Sequence, residues 1–275
     1  MSAPSLAHAR SFLFVPADRP ERLPKALASG AHAVIADLED AVAPQHKAAA
    51  RSALAQAFLA LAPEDRARLA VRVNAAGSAM HDDDVALLRM LPGLGAVMLA
   101  KAESATAIER IAREADAPVI PLVESALGLT AIDLLARARG TLRLAFGHLD
   151  FQGDVGLQCD ADERELDAVR LQFALASRRA QLPSPIDGVT VALDDAPRLE
   201  ADTRRSRRFG FGAKLCIHPK QVAAVNDLLA PTAAEREWAR RVVAAASDAG
   251  QGAFRLDGQM VDAPVLQRAR HMLAA

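Results

Sequence analysis

The chain has 275 residues, of which 51% belong to the set AVILMFWYC and 4% are aromatic, with no tyrosine and a formal net charge of -1. That length fits one large α/β barrel or two smaller domains, and an Ala, Leu and Val core favours close packing of helices on strands over an aromatic-rich sandwich. The near-neutral charge argues against nucleic-acid and anionic-membrane partners, and the chain lacks both a transmembrane-length apolar stretch and an apolar signal core in residues 1–10.

Cys159 and Cys216 show no metal or CxxC spacing, so the expectation is a reduced, soluble, cytoplasmic protein. Along the chain a strand-then-helix alternation repeats eight times. Short apolar runs predict strands at 11–15, 33–38, 69–73, 96–100, 119–123, 142–146, 188–193 and 213–217. Helical spacing predicts helices at 45–61, 83–90, 104–114, 126–138, 163–180 and 197–209. Within the last of these, Arg204, Arg205, Arg207 and Arg208 are expected on the exposed side and in the final turn, where positive charge suits the helix dipole. Eight such units predict an α/β fold, a (β/α)₈ TIM barrel that forms a catalytic domain over residues 1–230. A doubly wound open sheet is the alternative, because strand order cannot be read from one sequence. Helices at 220–229, 232–246 and 264–273 follow, interrupted by Gly250-Gln251-Gly252 and a short segment at 254–263. Residues 231–275 are therefore expected to form a C-terminal helical extension: a lid, an arm onto a neighbouring subunit, or a cover for the barrel floor.

In a barrel the C-terminal strand ends converge on one rim, where the chemistry is kept. Strand five ends at Glu124 and strand six leads through His148 to Asp150. Two carboxylates from successive strand ends suit a hard divalent cation, Mg²⁺, that also takes substrate oxygens. The bland alternative is that both acids cap helices or pair with arginines. Arg72 alternates with Val71 and Val73, so it points into the barrel mouth, either gripping a substrate carboxylate or pairing with Asp37 or Glu39. Of the three acids after strand two, Glu39 is placed nearest the site in a supporting role, and Asp40 is expected to cap the following turn. Lys101, after strand four, is an ion-pair partner or a covalent lysine; His148 and His218 are bases or structural donors. Asp194 and Asp195 are expected at the end of strand seven.

These residues together resemble the citrate lyase β-subunit-like branch of the HpcH/HpaI aldolase superfamily, the acyl-CoA lyases. The likeness runs from Arg10 to about Leu273 and rests on ordered segments: RSFLFVPADRPER at 10–22, ADLEDAV at 36–42 with Lys47 and Arg51 after it, VRVN at 71–74, LAKAE at 99–103, ESALG at 124–128, FGHLDFQGDVG at 146–156 and GFGAKLCIHPKQV at 210–222. The resemblance implies a (β/α)₈ barrel, trimeric or hexameric, with Mg²⁺ on Glu124 and Asp150 and a keto-acid or substrate carboxylate on Arg72. It implies that Phe14, Pro16 and Arg19 help to hold coenzyme A. It also implies that Asp262, in GQMVDAP at 258–264, closes the site of an adjacent subunit, where its catalytic role is either to protonate the enolate or to orient a water. The implied reaction is Mg²⁺-dependent cleavage of a malyl-, citramalyl- or citryl-CoA type thioester to acetyl-CoA and a 2-keto acid. Two alternatives stand beside it: a subunit acting on an acyl-carrier-protein thioester within a complex, and a non-catalytic acyl-CoA binder. Three positions depart from the family pattern: Ser125-Ala126-Leu127 after the glutamate, Phe151 after the aspartate, and His148 where a small or acidic residue is frequent. They border the expected pocket and bear on the acyl substrate.

Overall fold

A computed structural model describes residues 5–249 and 252–274. Two compact units, Met1–Leu229 and Ala230–Ala275, divide the chain. In the first, eight parallel strands close into a barrel in sequence order. They are β1 Ser11–Pro16, β2 Ala33–Asp37, β3 Leu69–Val73, β4 Ala96–Leu99, β5 Val119–Val123, β6 Ala145–Phe146, β7 Ile186–Asp187 and β8 Ala213–Cys216. Pairing of Phe12 with both Ala33 and Leu215 shows β1 bonded on its two sides, so no edge remains. The open-sheet alternative is thereby set aside.

Alternation along each strand builds two cores. Phe12, Ile35, Met98, Ile120 and Ile186 fill the barrel interior, while Leu13, Val34, Val71, Val97 and Val123 face the helical ring. The inner layer also holds Ala33, Ala70, Ala96, Ala145 and Ala213, which explains the alanine-rich, aromatic-poor composition. Leu6 and Ala9 join the inner cluster. The fully buried Arg143 binds this N-terminal segment, donating to the carbonyls of Leu6, Ala7, Ala9 and Ser184.

Several boundaries differ from the sequence expectation. β7 occupies Ile186–Asp187, not 188–193, where Val191 and Leu193 alternate convincingly but are 62% and 44% exposed. Register with β6 through Ala145 and with β8 through Ala213 selects the earlier pair. β6 is shortened to two residues, and 126–138 is two helices, Ala126–Thr130 and Ile132–Arg137. The helix His148–Val155 directly after β6 was not foreseen. Arg205, expected on an exposed helix face, is buried and bonded to Glu163 and the Asp162 carbonyl.

The second unit pairs the helices Ala233–Ala249 and Ala263–Ala274 around Ala239, Val242, Val261 and Ala269. The segment expected at 254–263 is an antiparallel hairpin of Phe254–Leu256 and Gln259–Val261, turned by Asp257 and Gly258 at positive φ. Gly250 and Gln251 of the expected break lie outside the described residues.

Candidate active site

The strand ends meet around a cavity of about 420 Å³ whose lining includes Phe14, Arg72, Glu124, His148 and Asp150. Neither acid of the central pair caps a helix. Ser125 is the N-cap of Ala126–Thr130 and accepts from the Gly128 N–H, while Gly147 precedes the helix whose first turn carries Asp150. The cap reading of both acids is therefore set aside. Glu124 is 3% exposed, and one of its oxygens, Oε1, accepts the Lys101 backbone N–H at 2.8 Å. Lys101 aims that N–H from a left-handed conformation, φ 46°, a strain found where the surroundings over-determine it. Gly147 leaves the room Glu124 needs, since a Cβ there would overlap Oε2.

Burial, reinforced by repulsion from Asp150, pushes the Glu124 carboxyl up to about 8. Glu124, just past β5, and Asp150, in the first turn of the helix after β6, are a hard-oxygen donor pair whose repulsion a divalent cation would relieve. Among the described residues no group of three His, Cys, Asp or Glu side chains could hold a metal. A cation here would therefore complete its shell with water and ligand oxygens, which is the habit of Mg²⁺. Glu124 and Asp150 fit such an ion.

Beside the pair lies a buried ionic chain. Arg72 sets Nε and Nη2 on the two Asp37 oxygens, both at 2.6 Å, and Nη1 on Glu39 Oε2 at 2.9 Å. The Lys101 ammonium binds the other Glu39 oxygen at 2.8 Å. Burial opposes the Arg72 charge, but Asp37 and Glu39 overcome it and hold the guanidinium more firmly protonated than usual. For Lys101 the Glu39 hydrogen bond raises the ammonium above its ordinary range, a setting that suits an ion pair and opposes use as a nucleophilic amine. Phe14 lies against the guanidinium, 4.9 Å from its carbon.

Of the sequence-based assignments, Phe14, Pro16, Arg72, Glu124 and Asp150 share the cavity lining, and Glu39 touches it through Arg72. Arg19 is exposed and outside that lining. Asp37, not Asp40, caps the turn after β2 by accepting from the Glu39 and Ala41 N–H groups. Asp195 caps the helix Ala196–Arg208, and Asp194 is an exposed partner of Lys220, so neither stands at a strand end. His218 accepts the Lys220 N–H as a structural cap. Asp262, in the second unit, caps Ala263–Ala274 by accepting from Val265.

Sequence reasoning missed Gly147 and Gly188, Asp187, and Glu163. Gly188 lies so close to His148 that a Cβ would overlap the ring. Glu163, at φ 48°, is buried under Arg170 and Arg205 and lies 3.6 Å from His148 Nε2. Burial holds the His148 imidazole below its ordinary pKa. An isolated glycine or glutamate carries no periodic signal by which these roles could be read.

A model of the family HpcH/HpaI aldolase/citrate lyase matches residues 10–219. The chain belongs to this family. As a member of the HpcH/HpaI aldolase/citrate lyase family it is an enzyme of the lyase type. It is 38% identical over 268 residues to a citrate lyase subunit beta-like protein of Mycobacterium tuberculosis, covering 95% of this chain and 93% of that one. A (3S)-malyl-CoA thioesterase of Cereibacter sphaeroides is 34% identical, with 96% and 93% covered. Among solved structures, CitE from Mycobacterium tuberculosis in complex with magnesium, acetoacetate and coenzyme A superposes with a TM-score of 0.83 at 38% identity, covering 98% of both chains.

Proposed function

We propose that the chain cleaves a 3-hydroxyacyl-CoA thioester of the malyl-, citramalyl- or citryl-CoA type to acetyl-CoA and a 2-keto acid, with Mg²⁺ held by Glu124 and Asp150. The observation that carries this reading is the crowded carboxylate pair set beside an arginine locked by Asp37 and Glu39. When bound, the cation supplies Lewis-acid charge for the carboxylate and hydroxyl oxygens of the substrate. Similar structures support the pairing of ligands: CitE from Mycobacterium tuberculosis has been solved with magnesium, acetoacetate and coenzyme A, and with magnesium and pyruvate.

Arg72 donates from Nε and Nη2 to Asp37, and Nη1 is ion-paired with Glu39 at 2.9 Å and with Asp40 at 3.7 Å. The N–H groups not given to Asp37 suit a substrate carboxylate. Phe14 and the Asp37 fork keep the guanidinium plane fixed, so the bond to be broken is held in one orientation. In the cleavage the hydroxyl proton passes to a base and the C2–C3 bond breaks. C3 becomes the keto carbon, and the bonding pair moves onto C2 as the thioester enolate, which takes a proton to give acetyl-CoA. Asp262 of a neighbouring copy, in a homotrimer or hexamer, is the proposed donor of that proton. Phe14, Pro16 and Arg19 are the proposed coenzyme A contacts, Arg19 from its exposed position on the loop after β1. Two free cysteines fit the cytoplasm as the proposed compartment, and no helix among the described residues is long and apolar enough to cross a membrane.

The test is turnover of malyl-, citramalyl- and citryl-CoA with and without Mg²⁺, reading keto acid and free thiol separately. The expected result is Mg²⁺-dependent keto-acid release, reduced on the order of 10³-fold in Glu124→Gln and in Asp150→Asn. Free 3-hydroxy acid with no keto acid would point to a thioesterase instead. Full activity in both variants would remove the metal assignment.

A further inference from the structure

His148 is used by neither the carboxylate pair nor Arg72, yet it is 4% exposed and lines two cavities. In front of it lies the cavity that contains Glu124 and Asp150, about 420 Å³. Behind it is a second cavity of about 260 Å³, reached by Val191, Ala192 and Arg198. Only His148, Leu149 and Val189 line both, and of these Leu149 is exposed and Val189 half-buried. The imidazole is the one buried side chain of the wall that the two cavities share.

The ring is fixed from several sides. Gly188, at the end of β7, has no side chain, and a Cβ there would overlap Nδ1 and Cε1. Phe146 meets the ring edge-on with centroids 6.1 Å apart. Glu163 lies 3.6 Å from Nε2 and is itself tied down by Arg170 and Arg205. An imidazole held this way is a wall of set position rather than a mobile side chain.

The rear cavity also has a defined chemistry. Its one lining cation, Arg198, is already bonded to Asp202 and Glu163, and Asp195 adds a further acid. No free cation is present among the lining residues for a second carboxylate, while Val189, Val191 and Ala192 offer apolar surface. The acids Glu163, Asp195 and Asp202 in the same lining disfavour a further carboxylate, so a group without negative charge, lying against Val189, Val191 and Ala192, is the one that fits.

We infer that His148 sets the length of the side chain R in the 2-keto acid half of the substrate, R–CO–COO⁻. With the imidazole in place R is confined to the front cavity. Removal of the imidazole opens the rear cavity to a longer, uncharged R. This inference rests on the lyase reading given above and names the group that determines its specificity.

The experiment runs the reaction in the condensation direction, with acetyl-CoA, Mg²⁺ and glyoxylate, pyruvate, 2-oxobutyrate or 2-oxohexanoate, for the parent chain and His148→Ser. His148→Asn is read in the same way should the serine variant fail to fold. The quantity is the ratio of kcat/KM for the longest to the shortest acid used by each protein, which a general loss of stability does not move. A rise of about tenfold or more in that ratio is expected, with a crystal structure of the variant showing one continuous cavity. An unchanged ratio in variants that still use the short acid overturns the inference and leaves the lyase reading standing. No product from any of the acids with the parent chain overturns both.

Discussion

Arg72 shows how a buried charge can be both structural and available. Its fork is closed on Asp37 and its third contact is Glu39, so the side chain is pre-oriented before any ligand arrives. Lysine would keep the charge but not the planar fork. Arg72→Lys should therefore lower kcat/KM on the order of 10²-fold and cost about 2–3 kcal/mol of stability, since Asp37 loses a bidentate partner in a buried place. Michaelis kinetics and urea unfolding measure the two effects separately; an unchanged unfolding midpoint would count against the structural half. The alternation of Val71, Arg72 and Val73 made the inward direction of this side chain legible, but whether it met an acid or a ligand was not. Asp37 and Glu39 were both in view as partners, and only the register of β2 against β3, which sets Asp37 beside Arg72, fixed the fork.

At the scale of elements, the site depends on the few residues that follow each strand. Glu124 is held by the turn after β4, through Lys101 at φ 46°, and is given its space by Gly147 after β6. Gly147→Ala places a methyl group against the carboxylate and should displace it, because the clash is with a short, buried, hydrogen-bonded side chain. The expected outcome is a loss of about tenfold or more in Mg²⁺ affinity, read by calorimetry, with a far-UV spectrum like that of the parent. Unaltered Mg²⁺ affinity would show that Glu124 does not need this gap. The same scale explains the misplaced β7. Its apolar alternation at 188–193 satisfies a strand pattern locally, yet Val191 and Leu193 remain solvent-exposed because the barrel takes its hydrogen bonds at Ile186 and Asp187. The helix His148–Val155 escaped notice because Gly153 and the polar Gln152 and Asp154 interrupt its apolar spacing.

Across the molecule, a buried ionic network lies between the helices and β7–β8. Asp187 sits among Arg170, Lys214 and the Ser206 hydroxyl. Burial alone would raise its pKa, but Arg170 and Lys214 prevail and hold it down at about 2. The folded pKa lies below the unfolded one, so this carboxylate contributes stability fully above about pH 4 and loses it as pH falls toward about 2, a contribution of roughly 2 kcal/mol. Urea midpoints at about pH 5 and pH 2.5 should differ more for the parent than for Asp187→Asn, which is already destabilised at the higher pH. Equal pH dependence in the two proteins would remove Asp187 from the acid transition.

Local pattern and residue type determined the eightfold strand-helix alternation, seven of the eight strand positions, and the place of Glu124 and Asp150 after strands five and six, because strand and helix periods are properties of neighbours in the chain. Closure of the barrel came from the pairing of β1 with β8. Tertiary structure alone decided where β7 pairs, which acid takes the Arg72 fork, and how Gly147, Gly188 and Glu163 shape the cavity. Those features arise from hydrogen-bond register and from side chains meeting across distant segments, and neither leaves a periodic mark in the sequence.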